Sequence, residues 1–253
     1  MNDVTDDLGA SVSLTYPVSR VVSLVPSLTE AIAATRPQAL VGATDWCTHP
    51  ADLDVPRVRG TKNPDLVAIA ALRPDLVITN REENRRLDVE RLRARGIPVW
   101  TTVIESVPQA LTALHRLFGE ALQWGVPPWL HDASTVWAGV TPTPTATAAV
   151  LVWRDPWMAV GSATFTGDLL GRLGLRNVFG DSSERYPHVT VDEVQAREPD
   201  VVVLPDEPYR FTAEDGPEAF PGRRCALVPG RLLTWYGPSL LAARSELAAA
   251  LGL

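Results

Sequence analysis

The sequence of 253 residues has few of the features that mark several classes of protein. It contains two cysteines, too few for a disulfide-stabilised scaffold. It also has no apolar run near the ~20 residues that a transmembrane helix needs. Lysine and arginine together number 23 against 30 for aspartate and glutamate, and the net charge is −7. This balance argues against a nucleic-acid surface and against an anionic membrane face. We therefore expect neither a nucleic-acid partner nor membrane insertion.

The first residues lack the features of a secretory signal. A signal peptide needs a basic start and an apolar run of about 7–15 residues. The segment MNDVTDDLGASVSLTYP has three aspartates, no lysine or arginine, and no apolar run before Val21. Cys47 and Cys225 fit a reducing compartment. From these residues we predict a cytoplasmic location.

Short strands rich in valine, isoleucine and leucine alternate with helical segments along the first half of the chain. Asp7-Leu8-Gly9 between alternating residues predicts a β-hairpin, followed by a buried strand at 20–25. Ser27 and Glu30 have the spacing of a helix capping box. Further strands are predicted at 39–43, 76–79 and 97–102, with helices over 64–72 and 83–95. This alternation indicates a parallel sheet covered by helices on both faces.

A helical segment and a polar linker separate two similar halves. Apolar spacing predicts helices over 107–123 and 127–140, and the Pro- and Thr-rich residues 141–147 predict a stiff linker. Strands return at 148–153, 201–204 and 226–228, and ALRPDLVI at 71–78 corresponds to AREPDVVV at 196–203. This correspondence indicates two related lobes, with the chance recurrence of a common turn as the alternative. We predict an α/β fold with an N-terminal lobe over 1–123, a connecting helix and linker over 124–145, and a C-terminal lobe over 146–253. Each lobe would have a mostly parallel sheet, and a ligand cleft would lie between them.

Five segments resemble, in order, those of the helical-backbone (class III) periplasmic-binding-protein-like family, the solute receptors of ABC transporters for vitamin B12, haem and iron–siderophore complexes. They are RVVSLVPSLTE, VGATDWCTHP, ALRPDLVITN, GIPVW and AVGSATFTGDLLGRLGLRNVF. The pattern aromatic-Cys-x-x-Pro at 46–50 is most similar to cobalamin-binding members. The resemblance implies a binding protein, not an enzyme, that closes two lobes on a small-molecule ligand. We expect cobalamin or a related corrinoid, with no cofactor required beyond a bound corrinoid or metal ion.

The sequence departs from the family at one position of the first repeat. In importer-docked relatives, each lobe has an acidic residue near the start of the helix that precedes the Pro-Asp turn, where it pairs with permease arginines. Val67 stands at that position in the first lobe, and Asp192 or Glu193 in the second. The first of these contacts is therefore expected to be missing, which argues against conventional docking to an ABC permease.

Aromatic and polar side chains follow the predicted strands, at the end where open α/β sheets bind ligands. Indole rings there would stack on a planar macrocycle or shield it from water, with ordinary packing as the alternative. Lys62 and Asn63 could donate hydrogen bonds to the ligand, or Asn63 could cap the next helix. Arg81 and Glu82 could bind the ligand or belong to a solvated helix start. The predicted ligand-binding residues are Trp46, Lys62, Asn63, Arg81, Glu82, Trp153, Trp157, Tyr186, Glu207, Tyr209, Trp235 and Tyr236.

Two other interpretations stay open. Cys47 and His49 supply two of the three or four protein ligands that zinc prefers, so a metal site is one alternative to a buried thiol beside a loop histidine. The ligand would then be a metal ion, haem or a ferric chelate. An enzyme of metal or corrinoid processing is the other alternative, with Glu82, Glu83 and Glu207 as acid–base groups. The sequence has no glycine-rich phosphate loop and no nucleophile elbow, so no catalytic residue is predicted.

Overall fold

The computed structural model describes residues 2–253 and divides into two compact units. Unit 1 comprises residues 2–104, Pro108–Ser134 and Tyr236–Pro238. Unit 2 comprises Glu105–Val107, Thr135–Trp235 and Ser239–Leu253. Each unit contains its own largely parallel sheet, so the predicted α/β class with two similar lobes is confirmed. The predicted linker at 124–145 stays a prediction, since this division places 124–134 in unit 1 and 135–145 in unit 2.

The strands in chain order are β1 Asn2–Thr5, β2 Ser11–Leu14, β3 Val21–Ser23, β4 Leu40–Ala43, β5 Arg59–Gly60, β6 Asn63–Pro64, β7 Leu76–Asn80, β8 Val99–Thr102, β9 Ala146–Trp153, β10 Met158–Ala159, β11 Leu175–Asn177, β12 Val201–Pro205 and β13 Cys225–Val228. The α-helices are α1 Pro26–Thr35, α2 Leu66–Ala71, α3 Arg86–Ala94, α4 Val107–Arg116, α5 Pro128–Val136, α6 Phe165–Arg172, α7 Val191–Ala196, α8 Gly230–Thr234 and α9 Leu240–Leu251. Shorter helical turns lie at Pro37–Ala39, Leu117–Ala121 and Pro217–Ala219.

The sheet of unit 1 has the strand order β4-β3-β7-β8, and all its neighbouring strands are parallel. Both faces of its central strands are covered, because successive residues such as Val21, Val22, Val77 and Ile78 are fully buried. This burial explains why these strands are continuous apolar runs and do not alternate with polar residues.

A buried aspartate fixes the N-terminal hairpin β1–β2 to the edge strand β8. The Asp6 carboxylate accepts the backbone N–H groups of Leu8 at 3.0 Å and Ala10 at 2.9 Å, which closes the hairpin turn. The same carboxylate accepts the Thr101 N–H from β8 and forms an ion pair with Arg93 of α3 at 2.7 Å. One side chain therefore joins the turn, the sheet edge and a helix.

The sheet of unit 2 has the order β10-β9-β12-β13, with β11 also paired to β9. All its pairs are parallel except β9 with β10. The two Pro-Asp turns have the same local structure. Asp75 accepts the N–H of Ser19 just before β3 at 2.8 Å, and Asp200 accepts that of Thr147 in β9 at 2.7 Å. The repeat seen in the sequence is thus a repeat of structure.

Several predicted element boundaries were wrong, each for a local reason. Helix α1 begins at Pro26, so Ser27 lies inside the helix and does not form the predicted capping box. The helix predicted over 83–95 begins only at Arg86, because the Asn80 side chain holds the N–H groups of residues 82 and 83 in a turn. The predicted helix 107–123 changes to a π-helical turn after Arg116, and the predicted helix 127–140 ends at Val136.

Candidate functional site

Five of the predicted ligand-binding residues lie in unit 1, either after the parallel strands β4 and β7 or in the hairpin β5–β6: Trp46, Lys62, Asn63, Arg81 and Glu82. Trp46 lies in the loop after β4 and is 66% exposed, which is unusual for so large an apolar side chain. The hairpin β5–β6 lies beside it, and a methyl group added at Gly60 would approach Trp46 Nε1 to 3.3 Å. Lys62 is at the tip of that hairpin and is exposed. An exposed indole and an ammonium group therefore belong to adjacent loops.

Asn63 does not cap the following helix, so that alternative is wrong. Asp65 caps α2, because its carboxylate accepts the N–H groups of Val67 and Ala68, both at 3.0 Å. Asn63 instead pairs with Gly60 in the small hairpin, and its side chain is exposed. Its carboxamide is consequently positioned on the same surface as Trp46.

A buried asparagine pair holds the loop after β7 in place. Asn80 accepts the N–H groups of Glu82 at 2.8 Å and Glu83 at 3.3 Å. Asn84 accepts the Asn80 N–H at 2.9 Å and donates to the carbonyls of Leu24 and Thr61 at 3.2 and 3.0 Å. Because these bonds are buried or partly buried and link three loops, the conformation of residues 80–84 is fixed before any ligand binds.

The Lys62 ammonium joins this loop to the small hairpin by donating a hydrogen bond to the Glu82 carbonyl oxygen. Burial, and then the neighbouring Glu82 carboxylate, raise the pKa of the half-buried Glu83 carboxyl, while Lys62 acts against this rise. Arg81 lines a cavity of about 450 Å³ together with Asn80, Asn84 and residues of α3 and of the N-terminal hairpin turn. The edge of unit 1 thus combines one aromatic ring, one amide, two cationic side chains, Lys62 and Arg81, and two carboxyl groups.

In unit 2, the predicted aromatic residues after β9 and β12 form one cluster. Trp153 meets Tyr209 edge-on with ring centroids 5.7 Å apart, and Trp157 stacks on Phe211 at 5.8 Å with an interplanar angle of 4°. The Arg154 guanidinium lies over the Trp157 ring at 5.2 Å. Trp157 therefore packs on the core of unit 2, whereas Trp153, 43% exposed, keeps more of its surface accessible.

Ion pairs and a hydrogen bond fix this aromatic cluster. Arg154 forms ion pairs with Asp215 and Glu218. The Tyr209 hydroxyl donates to Asp215 Oδ2 at 2.6 Å, which raises the pKa of the tyrosine and lowers the pKa of the aspartate. The orientation of the Tyr209 ring is therefore set by the protein itself.

The remaining predicted residues have different environments. Tyr186 is 37% exposed on the loop before α7, and the Glu207 backbone lies against Gly230, where no side chain would fit. Trp235 and Tyr236 are 7% and 5% exposed. They follow the short helix α8, which the sequence did not predict, so they lie one element further from β13 than expected.

The two residues considered for metal binding differ in accessibility. Cys47 is fully buried, and its sulfur lies 3.0 Å from Thr29 Oγ1 and 3.1 Å from Thr44 Oγ1. Burial raises the pKa of its thiol, which disfavours the thiolate that metals bind. His49 is half-buried, with Nδ1 3.2 Å from Thr48 Oγ1. Across residues 2–253 no three His, Cys, Asp or Glu side chains are grouped to hold a metal ion. A metal site at Cys47 and His49 stays a prediction.

The positions that correspond to the permease-docking acids of the family carry different side chains in the two units. Val67 is 70% exposed at the start of α2, and the nearby Asp65 carboxylate is occupied in capping that helix. In α7, the Glu193 carboxylate accepts the N–H and hydroxyl of Thr190 in a capping box, which lowers its pKa. Asp192 beside it is exposed. Only unit 2 therefore has an exposed carboxylate that is not part of a cap at this place among the described residues.

Comparison with known proteins shows what the chain is similar to. It is 25% identical over 193 residues to the vitamin B12-binding protein of Vibrio parahaemolyticus, covering 74% of this chain and 70% of that one. Among solved structures, the periplasmic vitamin B12 binding protein BtuF of Vibrio cholerae aligns with a TM-score of 0.74 at 20% identity, over 93% of this chain and 97% of that one. The periplasmic heme-binding protein BhuT aligns with a TM-score of 0.77 at 22% identity, over 92% and 97%. No family model matches the sequence.

These similarities confirm the predicted resemblance: the chain has the fold of the helical-backbone solute receptors. The proteins it matches are named as binding proteins, in agreement with the expectation of a ligand-binding protein and not an enzyme. The predicted cytoplasmic location is wrong, since the similar solved structures are periplasmic proteins. That prediction took residue 1 as the start of the translated protein, which the sequence alone does not establish. No helix within residues 2–253 has the length and apolar character to cross a membrane.

Sequence reasoning missed the residues that position the site. Gly60, Asn80 and Asn84 shape the unit 1 edge, and Arg154 fixes the aromatic cluster of unit 2. Asn80 and Asn84 stand at the end of a predicted strand, which was a usable signal for a structured turn. The partners of Arg154 lie 61 and 64 residues further along the chain, so no local pattern indicates them.

Proposed function

We propose that this protein is a solute receptor of the ABC-transporter type that binds cobalamin or a related corrinoid. The observation that carries the proposal is the exposed Trp46 ring beside Asn63, Lys62 and Glu82 on the unit 1 edge. A flat apolar ring with amide, ammonium and carboxyl groups around it suits a planar macrocycle whose rim carries amides. The similarity to vitamin B12-binding proteins supports the same ligand class.

The mechanism is sequestration and requires no catalytic group. The indole of Trp46 excludes water from one face of the macrocycle, and the neighbouring polar groups fix its rotation through hydrogen bonds. The rigid loop 80–84 keeps these groups in place, so little side-chain ordering is needed on binding. Docking to an ABC permease is proposed to lack a carboxylate contact on unit 1, because exposed Val67 occupies that position.

The proposal is tested by titrating the protein with hydroxocobalamin while following tryptophan fluorescence and the visible cobalt spectrum. Saturable quenching at micromolar protein is expected. Trp46→Ala should raise the Kd at least about tenfold, since a stacked and buried indole contributes roughly 1.5 kcal/mol or more. Val140→Ala, at a 96% exposed position, is the control and should leave the Kd unchanged. A spectral shift would add direct cobalt ligation by a protein side chain.

An independent measurement uses the fact that Lys62 is the only lysine in the sequence. An amine-reactive reagent should label Lys62 and the N-terminal amine, and bound corrinoid should protect Lys62 while leaving the N-terminal amine reactive. Haem is the second candidate, because the BhuT structure has the same fold. Saturable binding of hemin without any response to hydroxocobalamin would replace the corrinoid with haem. Equal labelling of Lys62 with and without corrinoid would contradict a site at this edge.

A further inference from the structure

The cavity of about 450 Å³ in unit 1 lies between helix α3, the N-terminal hairpin turn and the strands β7 and β8. Its volume is in the range of small-molecule sites in proteins. Leu8 and Ala10 of the hairpin turn form aliphatic parts of its wall. Neither Trp46 nor Lys62 lines it, so the proposed corrinoid contacts do not account for this cavity.

Helix α3 presents one stripe of side chains to the cavity. The stripe consists of Arg86, Val89, Glu90 and Arg93, whose spacing of three or four residues places them on one face of the helix. Seven residues of α-helix rise by about 10 Å, so the two arginines stand at opposite ends of the stripe. Val89, which is 7% exposed, lies between them. The stripe therefore has a guanidinium at each end and an aliphatic side chain in its middle.

Each of these two guanidinium groups is held by one carboxylate of the protein. Arg86 Nε donates to Glu90 Oε1 and Arg93 Nη2 to Asp6 Oδ2, both at 2.7 Å. Nη1 and Nη2 of Arg86 and Nε and Nη1 of Arg93 have no hydrogen-bond partner among residues 2–253. Arg81 also lines the cavity and has a further interaction of its own. Because the pairs balance their own charges, a ligand would be held by directed N–H groups and not by net charge.

The buried amides that line the cavity are already satisfied. Asn84 accepts the Asn80 N–H at 2.9 Å and donates to the carbonyls of Leu24 and Thr61. Asn80 Oδ1 accepts two backbone N–H groups, and its Nδ2 donates to Thr102 Oγ1 at 3.1 Å. The N–H groups that a ligand can use are therefore those of the guanidinium groups.

We propose that this cavity binds a small dicarboxylate whose two carboxylates are joined by an aliphatic chain. One carboxylate pairs with Arg86 and the other with Arg93, since the planar guanidinium matches the geometry of a carboxylate. The aliphatic chain packs on Val89, Leu8 and Ala10. This site differs in position and in ligand class from the proposed corrinoid site, and the inference does not depend on it.

The test is isothermal titration calorimetry of the full chain with suberate, an eight-carbon dicarboxylate, and with octanoate, which has one carboxylate on a chain of the same length. We expect suberate to bind with a Kd about fivefold lower than octanoate, since a partly exposed ion pair contributes up to about 1 kcal/mol. The neutral 1,8-octanediol should not bind saturably.

Arg86→Gln should remove the preference for suberate and change the Kd of octanoate less than about twofold, because Arg93 still binds one carboxylate. This variant should fold like the wild type, since the Arg86 side chain is 92% exposed. Arg91→Gln is the matched control on the same helix. Arg91 pairs with Asp88 and does not line the cavity, so this variant should keep the preference.

Three results would overturn the inference. Equal Kd values for suberate and octanoate in the wild type would show that the cavity does not recognise two acidic ends. A preference that survives Arg86→Gln, or that Arg91→Gln also removes, would place the ligand elsewhere on the molecule. The absence of saturable binding at millimolar suberate would refute the site itself. Cobalamin binding is a separate measurement, and neither its presence nor its loss changes these outcomes.

Discussion

At the scale of single residues, the site at the edge of unit 1 depends on Gly60, where a side chain would disturb its neighbours. A methyl group at Gly60 would lie 2.5 Å from Asn63 Oδ1 and 3.3 Å from Trp46 Nε1. The Asn63 carboxamide is at the end of a flexible side chain, so it can move aside at a small cost to the fold. Its movement would, however, disturb two proposed ligand contacts at once.

We therefore expect Gly60→Ala to weaken binding of cyanocobalamin by about three- to tenfold, the equivalent of losing one hydrogen bond of about 1 kcal/mol. The melting temperature should change by less than about 4 °C. Gly119→Ala is the control, because nothing lies within 4 Å of a methyl group there. An unchanged Kd in Gly60→Ala would mean that the orientation of Asn63 and Trp46 does not matter for binding.

At the scale of helices and strands, much of the fold was predictable and the local ends were not. The apolar runs of β3, β7 and β12 and the repeated Pro-Asp turn specify two parallel sheets. The start of α3 and the cap of α2 depend on which polar side chain reaches a free backbone N–H. Several side chains compete for that role within three residues, so spacing does not decide between Asn63 and Asp65. The same holds for the candidate site: the sequence predicted its aromatic residues but not the groups that orient them.

The docking of the N-terminal hairpin gives a test at this scale. Asp6→Ala removes a fully buried carboxylate from the hairpin turn, from the Thr101 N–H and from its 2.7 Å ion pair with Arg93. Removing one partner of a buried pair is strongly destabilising, and Arg93 stays partly solvated, so we expect a loss of about 2–4 kcal/mol in unfolding free energy. Urea denaturation measures it. Asp3→Ala, whose exposed carboxylate accepts the Ser13 hydroxyl at 2.5 Å, should cost less than about 0.5 kcal/mol. Equal losses in both variants would show that the hairpin is not held by Asp6.

At the scale of the whole molecule, the two units contain the same Pro-Asp turn. The residue before each proline, Arg73 or Glu198, has a positive φ of 47° or 46°, and the aspartate after it binds the start of a neighbouring strand. A positive φ is uncommon for a residue other than glycine, so we do not expect it to occur twice by chance beside an aspartate that bridges strands. Their recurrence at corresponding positions supports duplication over the chance recurrence of a common turn, which the sequence left open.

Because of this turn, part of the pH dependence of the stability of unit 2 can be assigned to one residue, Asp200. Hydrogen bonds from the Thr147 hydroxyl and N–H lower the pKa of Asp200 below its ordinary value of 3.8. A lowered pKa in the folded state means that Asp200 contributes its stability above about pH 4, and that this stability is lost as the pH falls through the folded-state pKa. The urea midpoint of the wild type should therefore fall more between pH 6 and pH 3 than that of Asp200→Asn, which should be less stable than the wild type at pH 6.

Asp52→Asn, at an exposed turn, is the control and should follow the wild type at both pH values. If Asp200→Asn loses as much stability on acidification as the wild type, the bond between Asp200 and Thr147 does not hold the repeat together in solution.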